Sequence, residues 1–176
     1  EIDINFKTVL LRADLNVTFH PGSTEISDDT RIRESLQTIQ YLVKHNCKVL
    51  ICSHLGRPNG SIVEDLSMKH ISKRLSSLLG MPVSLVPDCV GEKVTETLKS
   101  LGYGGVALLE NVRFYTEEEE NNPEFAQALS APAEIYVNDA FGASHRSHAS
   151  TRKITDMLPS VAGLLMAKEL HVLNTL

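Results

Sequence analysis

Apolar residues along this chain follow two alternating patterns. Short, nearly unbroken runs rich in Val, Leu, Ile and Ala occupy residues 7–13, 48–53, 82–86, 105–109 and 133–137. Between them, apolar residues recur at helical spacing. Ile32, Leu36, Ile39, Leu42 and Val43 share one face over residues 30–45, as do Leu66, Met68, Ile71, Leu75, Leu78 and Leu79 over residues 65–79. The short runs read as strands covered on both sheet faces, and the periodic stretches as amphipathic helices. Further helices are expected over residues 89–101, 123–129, 154–158 and 161–173, with Gly80 and Gly102 as stop signals. Asp28 or Asp29 stands where a helix cap belongs, and Pro21-Gly22-Ser23 marks a loop. The acidic run at residues 117–120 reads as a solvated turn, since the spaced ligands of a Ca²⁺ loop are missing. Alternation of strand and helix predicts an α/β fold with a parallel sheet and helices on both faces.

Composition narrows the function. The chain has 176 residues, which suits one domain, and 42% hydrophobic against 22% charged residues is enough to build a core. A net charge of −5 gives no broad basic field for nucleic acid or anionic membrane, so an anion site must be a local cluster of Arg. Cys47, Cys52 and Cys89 have neither disulfide-framework nor C-x-x-C spacing, which points to a reducing, intracellular compartment. No apolar run approaches the roughly 18–20 residues of a membrane span. The chain starts at Glu1 rather than Met, and its last helical segment reaches Leu176 without a stop signal, so a longer protein is expected on both sides.

Chemistry gathers where strands end. The stretch VNDAFGASHRSHAS, residues 137–150, follows an apolar run and carries Asn138, Asp139, His145, Arg146 and His148 among small residues. The first run ends in Arg12, Asp14 and Asn16, which period-2 alternation would put on one face. The second ends in His54, Leu55, Gly56 and Arg57, and the 105–109 run in Asn111 and Arg113. A parallel sheet delivers all these ends to one edge. Arg31, in the first turn of a helix, opposes the helix dipole and is in the wrong place for stability. The expected result is a cup of Arg and His, with Asp14 and Asn16 as partners for hydroxyls. Arginines clustered without acids make sense around a small, multiply charged anion bearing phosphate or carboxylate. No Walker loop, dinucleotide loop, nucleophile elbow or three-ligand metal spacing is present, so no metal is expected here.

Five motifs, RADLN, DDTRIR, SHLGRP, ENVRFY and NDAFGASHRSHAST, resemble those of the phosphoglycerate kinases in order and spacing, and LPSVAGLLMAKEL resembles their interdomain region. The resemblance covers essentially the whole chain. It implies a three-layer α/β sandwich with a mostly parallel, Rossmann-like sheet, forming a single substrate-binding domain over residues 1–176. Residues 160–176 would approach the interdomain hinge. The resemblance implies that the family's carboxyl-terminal domain, which binds Mg²⁺ with ATP or ADP, is not part of these 176 residues, and no cofactor is expected on this part alone. The resemblance implies binding of 3-phosphoglycerate or 1,3-bisphosphoglycerate for reversible phosphoryl transfer in glycolysis or the Calvin cycle. Asp14 and Asn16 match contacts to the substrate's hydroxyl and carboxylate end, and Arg31 matches the arginine that stabilises the transferring phosphoryl group. His54, Leu55, Gly56 and Arg57 match the substrate loop, and Arg113 and Arg146 the phosphate-side contacts. Arg12, His145, His148, Asn138 and Asp139 are candidate supporting residues.

The implied partners are a phosphorylated acid and the nucleotide domain, with neither nucleic acid nor membrane, in a monomer located in the cytoplasm or, alternatively, the plastid stroma. The family usually has Pro where Thr18 stands, the loop over residues 19–25 looks slightly long, and Arg152-Lys153 replaces a common Val-Gly. The alternative is a non-catalytic module of the same fold recruited into a larger assembly; a phosphatase or isomerase using the same cup ranks last for want of a nucleophile or metal.

Overall fold

The computed structural model describes residues 2–175; Glu1 and Leu176, on which the expectations about the chain's ends fall, lie outside them. In chain order the elements are β1 (Thr8–Arg12), β2 (Thr18–Phe19), β3 (Ile26–Asp28), α1 (Thr30–Lys44), β4 (Lys48–Cys52), α2 (Lys69–Leu79), β5 (Val83–Leu85), α3 (Glu92–Ser100), β6 (Val106–Leu108), α4 (Thr116–Glu119), α5 (Pro123–Ser130), β7 (Ile135–Asn138), β8 (Ser160–Ala162) and α6 (Leu164–Asn174). Six strands form one sheet in the order β5-β6-β4-β1-β7-β8, every neighbouring pair parallel. β2 and β3 make a separate antiparallel hairpin.

Strand alternation sorts the core into two layers. Val9 and Leu11 of β1 face α1 and α2, packing with Ile32, Ile39, Ile71 and Leu75. Leu10 faces the other way, toward Val94 and Leu98 of α3 and Phe125, Ala126 and Leu129 of α5. Both faces of β1 are therefore dry, which is why its sequence is a continuous apolar run rather than an alternating one. The three-layer α/β architecture follows.

Topology sets one edge of the sheet apart. From β1 the chain moves by α1 to β4 on one side, and from β6 by α5 it crosses to β7 on the other side of β1. The loops after β1 and β7 diverge there, and such switch points open a crevice at the carboxyl ends of the strands.

Several elements differ from the sequence expectation. The helix expected over residues 161–173 begins later: Ser160–Ala162 forms β8 against β7, and α6 starts at Leu164. Residues 154–158 make only a 3-10 turn, Lys153–Asp156. A 3-10 turn, Glu64–Leu66, precedes α2, whose start is held by the Glu110 carboxylate accepting from Met68 N–H and Ser67 Oγ. α3 begins at Glu92, after Gly91 turns the chain at φ 88°. The stretch around Pro21-Gly22-Ser23 is the tip of the β2–β3 hairpin.

Candidate functional site

Asp14 sits just past β1 and receives Arg31 Nη1 at 2.6 Å, while its other oxygen accepts the Asn16 N–H at 3.2 Å. Arg31 lies in the first turn of α1, which holds no acidic residue; Asp14 from across the crevice holds it instead. Half of the Arg31 side chain remains exposed, so its other donors face solvent. A cavity of about 210 Å³ opens here between Asp14, Arg31, Gly142 and Asp139.

The loop after β4 is built as a clamp. Asn16 Oδ1 accepts the Gly56 N–H at 2.9 Å, and the Gly56 carbonyl accepts Arg113 Nη1 at 2.9 Å. Gly56 has φ 61° and Leu66 packs against its Cα, so a side chain here would be both strained and crowded. The wholly buried Asn111 reads this loop by its backbone: its amide donates to the carbonyls of Leu55 and Leu66, and its oxygen accepts from Leu55 and Arg113 N–H. Asn111 thus orients the cup's walls rather than lining it. Among the described residues the Asn16 side chain bonds only through its Oδ1, which leaves both amide N–H donors open.

On the other wall stand His54, Arg113, Arg146 and His148. Arg113 is buried, and among the described residues its Nε has no hydrogen-bond partner, with Glu119 4.0 Å away. Burial pulls its pKa below the ordinary arginine value. Arg146 is exposed at the loop tip, close enough to depress the pKa of both His54 and Arg113. Leu55 is buried, whereas Arg57 and His145 project into solvent. Burial pulls the pKa of His148 down, and Arg113 adds to the shift.

Two candidates have other occupations. Arg12 is 1% exposed and points into the protein, with Nε on Ser150 Oγ at 2.8 Å, Nη1 on the Ala13 carbonyl at 2.6 Å and Nη2 on His54 Nδ1 at 3.0 Å. It does not share a face with Asp14 and Asn16, because the strand ends at Arg12 and the alternation lapses. Asp139, also 1% exposed, caps α6 by accepting from Leu165 and Met166 N–H at 3.0 and 3.1 Å. Asn138 holds the start of the next turn through Ala140 N–H.

The acidic run needs correction. Glu118 is not solvated: it is wholly buried, with Oε1 and Oε2 accepting from Ser150 Oγ and N–H at 2.5 and 3.0 Å. Nothing in the sequence separates Glu118 from Glu117 or Glu119, and Ser150, although inside the NDAFGASHRSHAST motif, is not of a residue type that marks a buried acid's partner. The arginines are therefore not wholly without acids; Glu118 and Glu119 lie behind them.

His54 is held neutral. Burial first, and then the charges of Arg12, Arg113, Arg146 and His148, lower its pKa to about 2. An unfolded chain binds this proton near pH 6.5, so stability contributed by the neutral ring is complete above that value and is lost as pH falls toward 2. We expect chemical denaturation between pH 7 and 4 to show a loss on the order of 3 kcal/mol that His54→Gln lacks. Equal pH slopes for the two proteins would contradict a neutral buried His54.

A larger cavity, about 700 Å³, lies apart from this edge, between β3, α1 and α2. Asp29 there already binds both Arg33 and Arg74, which leaves it little appetite for an anion. Among the described residues no group of three or more His, Cys, Asp or Glu is arranged to hold a metal ion, and no helix is long and apolar enough to cross a membrane.

Known proteins are similar to this chain in sequence and in fold. The family model for phosphoglycerate kinase matches residues 1–176. The chain is 53% identical over 175 residues to phosphoglycerate kinase of Microcystis aeruginosa, covering 99% of this chain and 44% of that protein. It is 54% identical over 174 residues to a cytosolic phosphoglycerate kinase of Triticum aestivum, covering 98% and 43%. Its fold is similar to the crystal structure of phosphoglycerate kinase from Pyrococcus horikoshii OT3, with TM-score 0.86 and 36% identity over 97% of this chain and 43% of that one. The chain therefore spans less than half the length of the relatives it matches.

Proposed function

Because the chain belongs to the phosphoglycerate kinase family, we propose that it is the substrate-binding half of such an enzyme, taking 3-phosphoglycerate or 1,3-bisphosphoglycerate for reversible phosphoryl transfer to and from a nucleotide held elsewhere. The observation that carries this reading is the gathering of Arg31, Arg113 and Arg146, with Asp14, Asn16 and His54, around loops at one carboxyl edge of the sheet. In this reading Asn16 and Asp14 hold the hydroxyl and carboxylate end, and Arg113 and Arg146, with Arg57 at the rim, meet the distal phosphate.

Phosphoryl transfer asks a protein chiefly for positioning and for neutralising charge on the transferring group. Arg31 suits that part: Asp14 fixes one edge of its guanidinium and leaves other donors outward. The residues present do not fit Mg²⁺ with ATP or ADP, since among the described residues no carboxylate cluster could hold the metal and the sequence has no Gly-rich phosphate loop. The family's use of that cofactor supports a site on the remainder of the relatives' length. The cytosolic wheat relative supports a cytoplasmic location for this chain too. A recruited, non-catalytic module would have no use for an arginine cluster that costs stability.

Calorimetric titration of this chain with 3-phosphoglycerate tests the reading. Salt-sensitive binding is expected, without turnover; absence of heat at millimolar ligand would contradict it.

A further inference from the structure

One buried chain of polar groups runs from the acidic α4 to the cup. Glu118 Oε1 accepts the Ser150 hydroxyl proton at 2.5 Å; Ser150 Oγ in turn accepts Arg12 Nε–H at 2.8 Å; Arg12 Nη2 meets His54 Nδ1 at 3.0 Å. All four side chains are at most 6% exposed. The direction of each bond is fixed by chemistry. Arginine has donors and no acceptor, so the proton between Arg12 and His54 belongs to Arg12 and Nδ1 is the acceptor. A neutral His54 must then carry its single proton on Nε2, and among the described residues the ring's hydrogen bond is the one at Nδ1.

We propose that Glu118 is a positioning residue for the substrate loop: acting through Ser150, it fixes the Arg12 guanidinium, and that guanidinium locks His54 in the Nε2–H tautomer that offers a donor to the bound anion. The inference rests on the substrate reading above for its ligand, but its tautomer claim stands by itself. Glu118 also ties down the loop that carries Arg146 and His148, since its carboxylate takes Ser150 N–H and its carbonyl takes Ala149 N–H at 2.8 Å. An acid placed for surface solvation would do neither. Burial raises the Glu118 carboxyl pKa, and the Arg12 charge opposes that rise. Buried carboxylate and guanidinium thus each make the other's charge tolerable, and the hydroxyl between them sets their spacing.

The test combines side-chain ¹⁵N NMR of His54 with 3-phosphoglycerate titration, on this chain and on Glu118→Gln and Ser150→Ala. In the unsubstituted protein His54 should show a protonated Nε2 and a bare Nδ1. Glu118→Gln keeps the size, removes the charge and sets an amide donor against Ser150; Ser150→Ala keeps both charges and removes the link. Each is expected to populate the second tautomer and to weaken binding about tenfold, the factor of one charge-assisted hydrogen bond. Folded variants with His54 signals and affinity both unchanged would overturn the proposal, as would a shifted tautomer with unchanged affinity. Should both variants fail to fold, an Nδ1–H tautomer in the unsubstituted protein overturns it and an Nε2–H tautomer with bonded Arg12 Nη2 supports it. Failure of the unsubstituted protein to bind would refute the substrate reading, while the tautomer comparison still decides what Glu118 does.

Discussion

Gly163→Ala is expected to destabilise this protein by about 3–5 kcal/mol, lowering its melting temperature by on the order of 10 °C. Gly163 precedes α6 with φ −73°, so its own backbone would accept a side chain. The difficulty is Asp139, whose carboxylate lies against the Gly163 Cα; an added Cβ would overlap Oδ1 and come within 2.8 Å of the Asp139 Cβ. Either the carboxylate or α6 must move. Moving it strands a buried charge and releases the Leu165 and Met166 N–H groups at the start of the helix. Gly163 N–H also donates to the Asn138 carbonyl at 2.8 Å, so the disturbance enters the loop after β7 directly. Thermal melting of the two proteins checks this, and a shift under about 2 °C would show that the Asp139 cap is dispensable.

Arg113→Ala should have the largest effect on ligand binding, weakening 3-phosphoglycerate by at least about 100-fold. Arg113 is the cup's buried cation: it has a free Nε, a low surface exposure and a second job holding the Gly56 carbonyl. An anion would satisfy Nε and offset the burial that lowers the arginine's pKa. Truncation removes the charge and also releases the His54–Arg57 loop. Arg113→Lys keeps the charge without the planar fork and should fall between the two. Titration calorimetry reads the difference; affinities within threefold of one another would mean that the anion does not meet Arg113.

The parts of this molecule that were legible in its sequence are those where burial writes itself as a pattern. β1, β4 and β6 are dry on both faces, and a doubly covered strand has little choice but an apolar run. α1 and α2 have one dry face each, which gives the helical period. β8 was not legible: it is three residues long, pairs on one side only, and its Ser160 and Ala162 are exposed, so Ser160–Ala162 reads as the approach to a helix. The strands of the β2–β3 hairpin, two and three residues long, are likewise too short for any period to register.

The site divides in the same way. Its cations were legible because Arg at strand ends is chemically conspicuous. What each cation does was not, because that depends on partners distant in sequence. Arg12 and Arg113 look alike in the sequence, yet Ser150 and His54 take up the donors of one while the other keeps a free Nε. Glu118 is buried and Glu117 exposed because a single turn of α4 packs against Ser150, 32 residues away. Asn111 and Asp139 sit in motifs that suggest ligand contact, but both bind backbone.

The central claim is that one cup binds both ends of a three-carbon phosphorylated acid. Its most direct test is calorimetric titration with 3-phosphoglycerate of this chain, Arg31→Ala and Arg146→Ala, each at low and at moderate salt. Saturable binding is expected, weakened by added salt and reduced about tenfold or more by either substitution, because each removes a cation that faces a different end of the ligand. No binding at millimolar ligand, or binding indifferent to both substitutions, would contradict it.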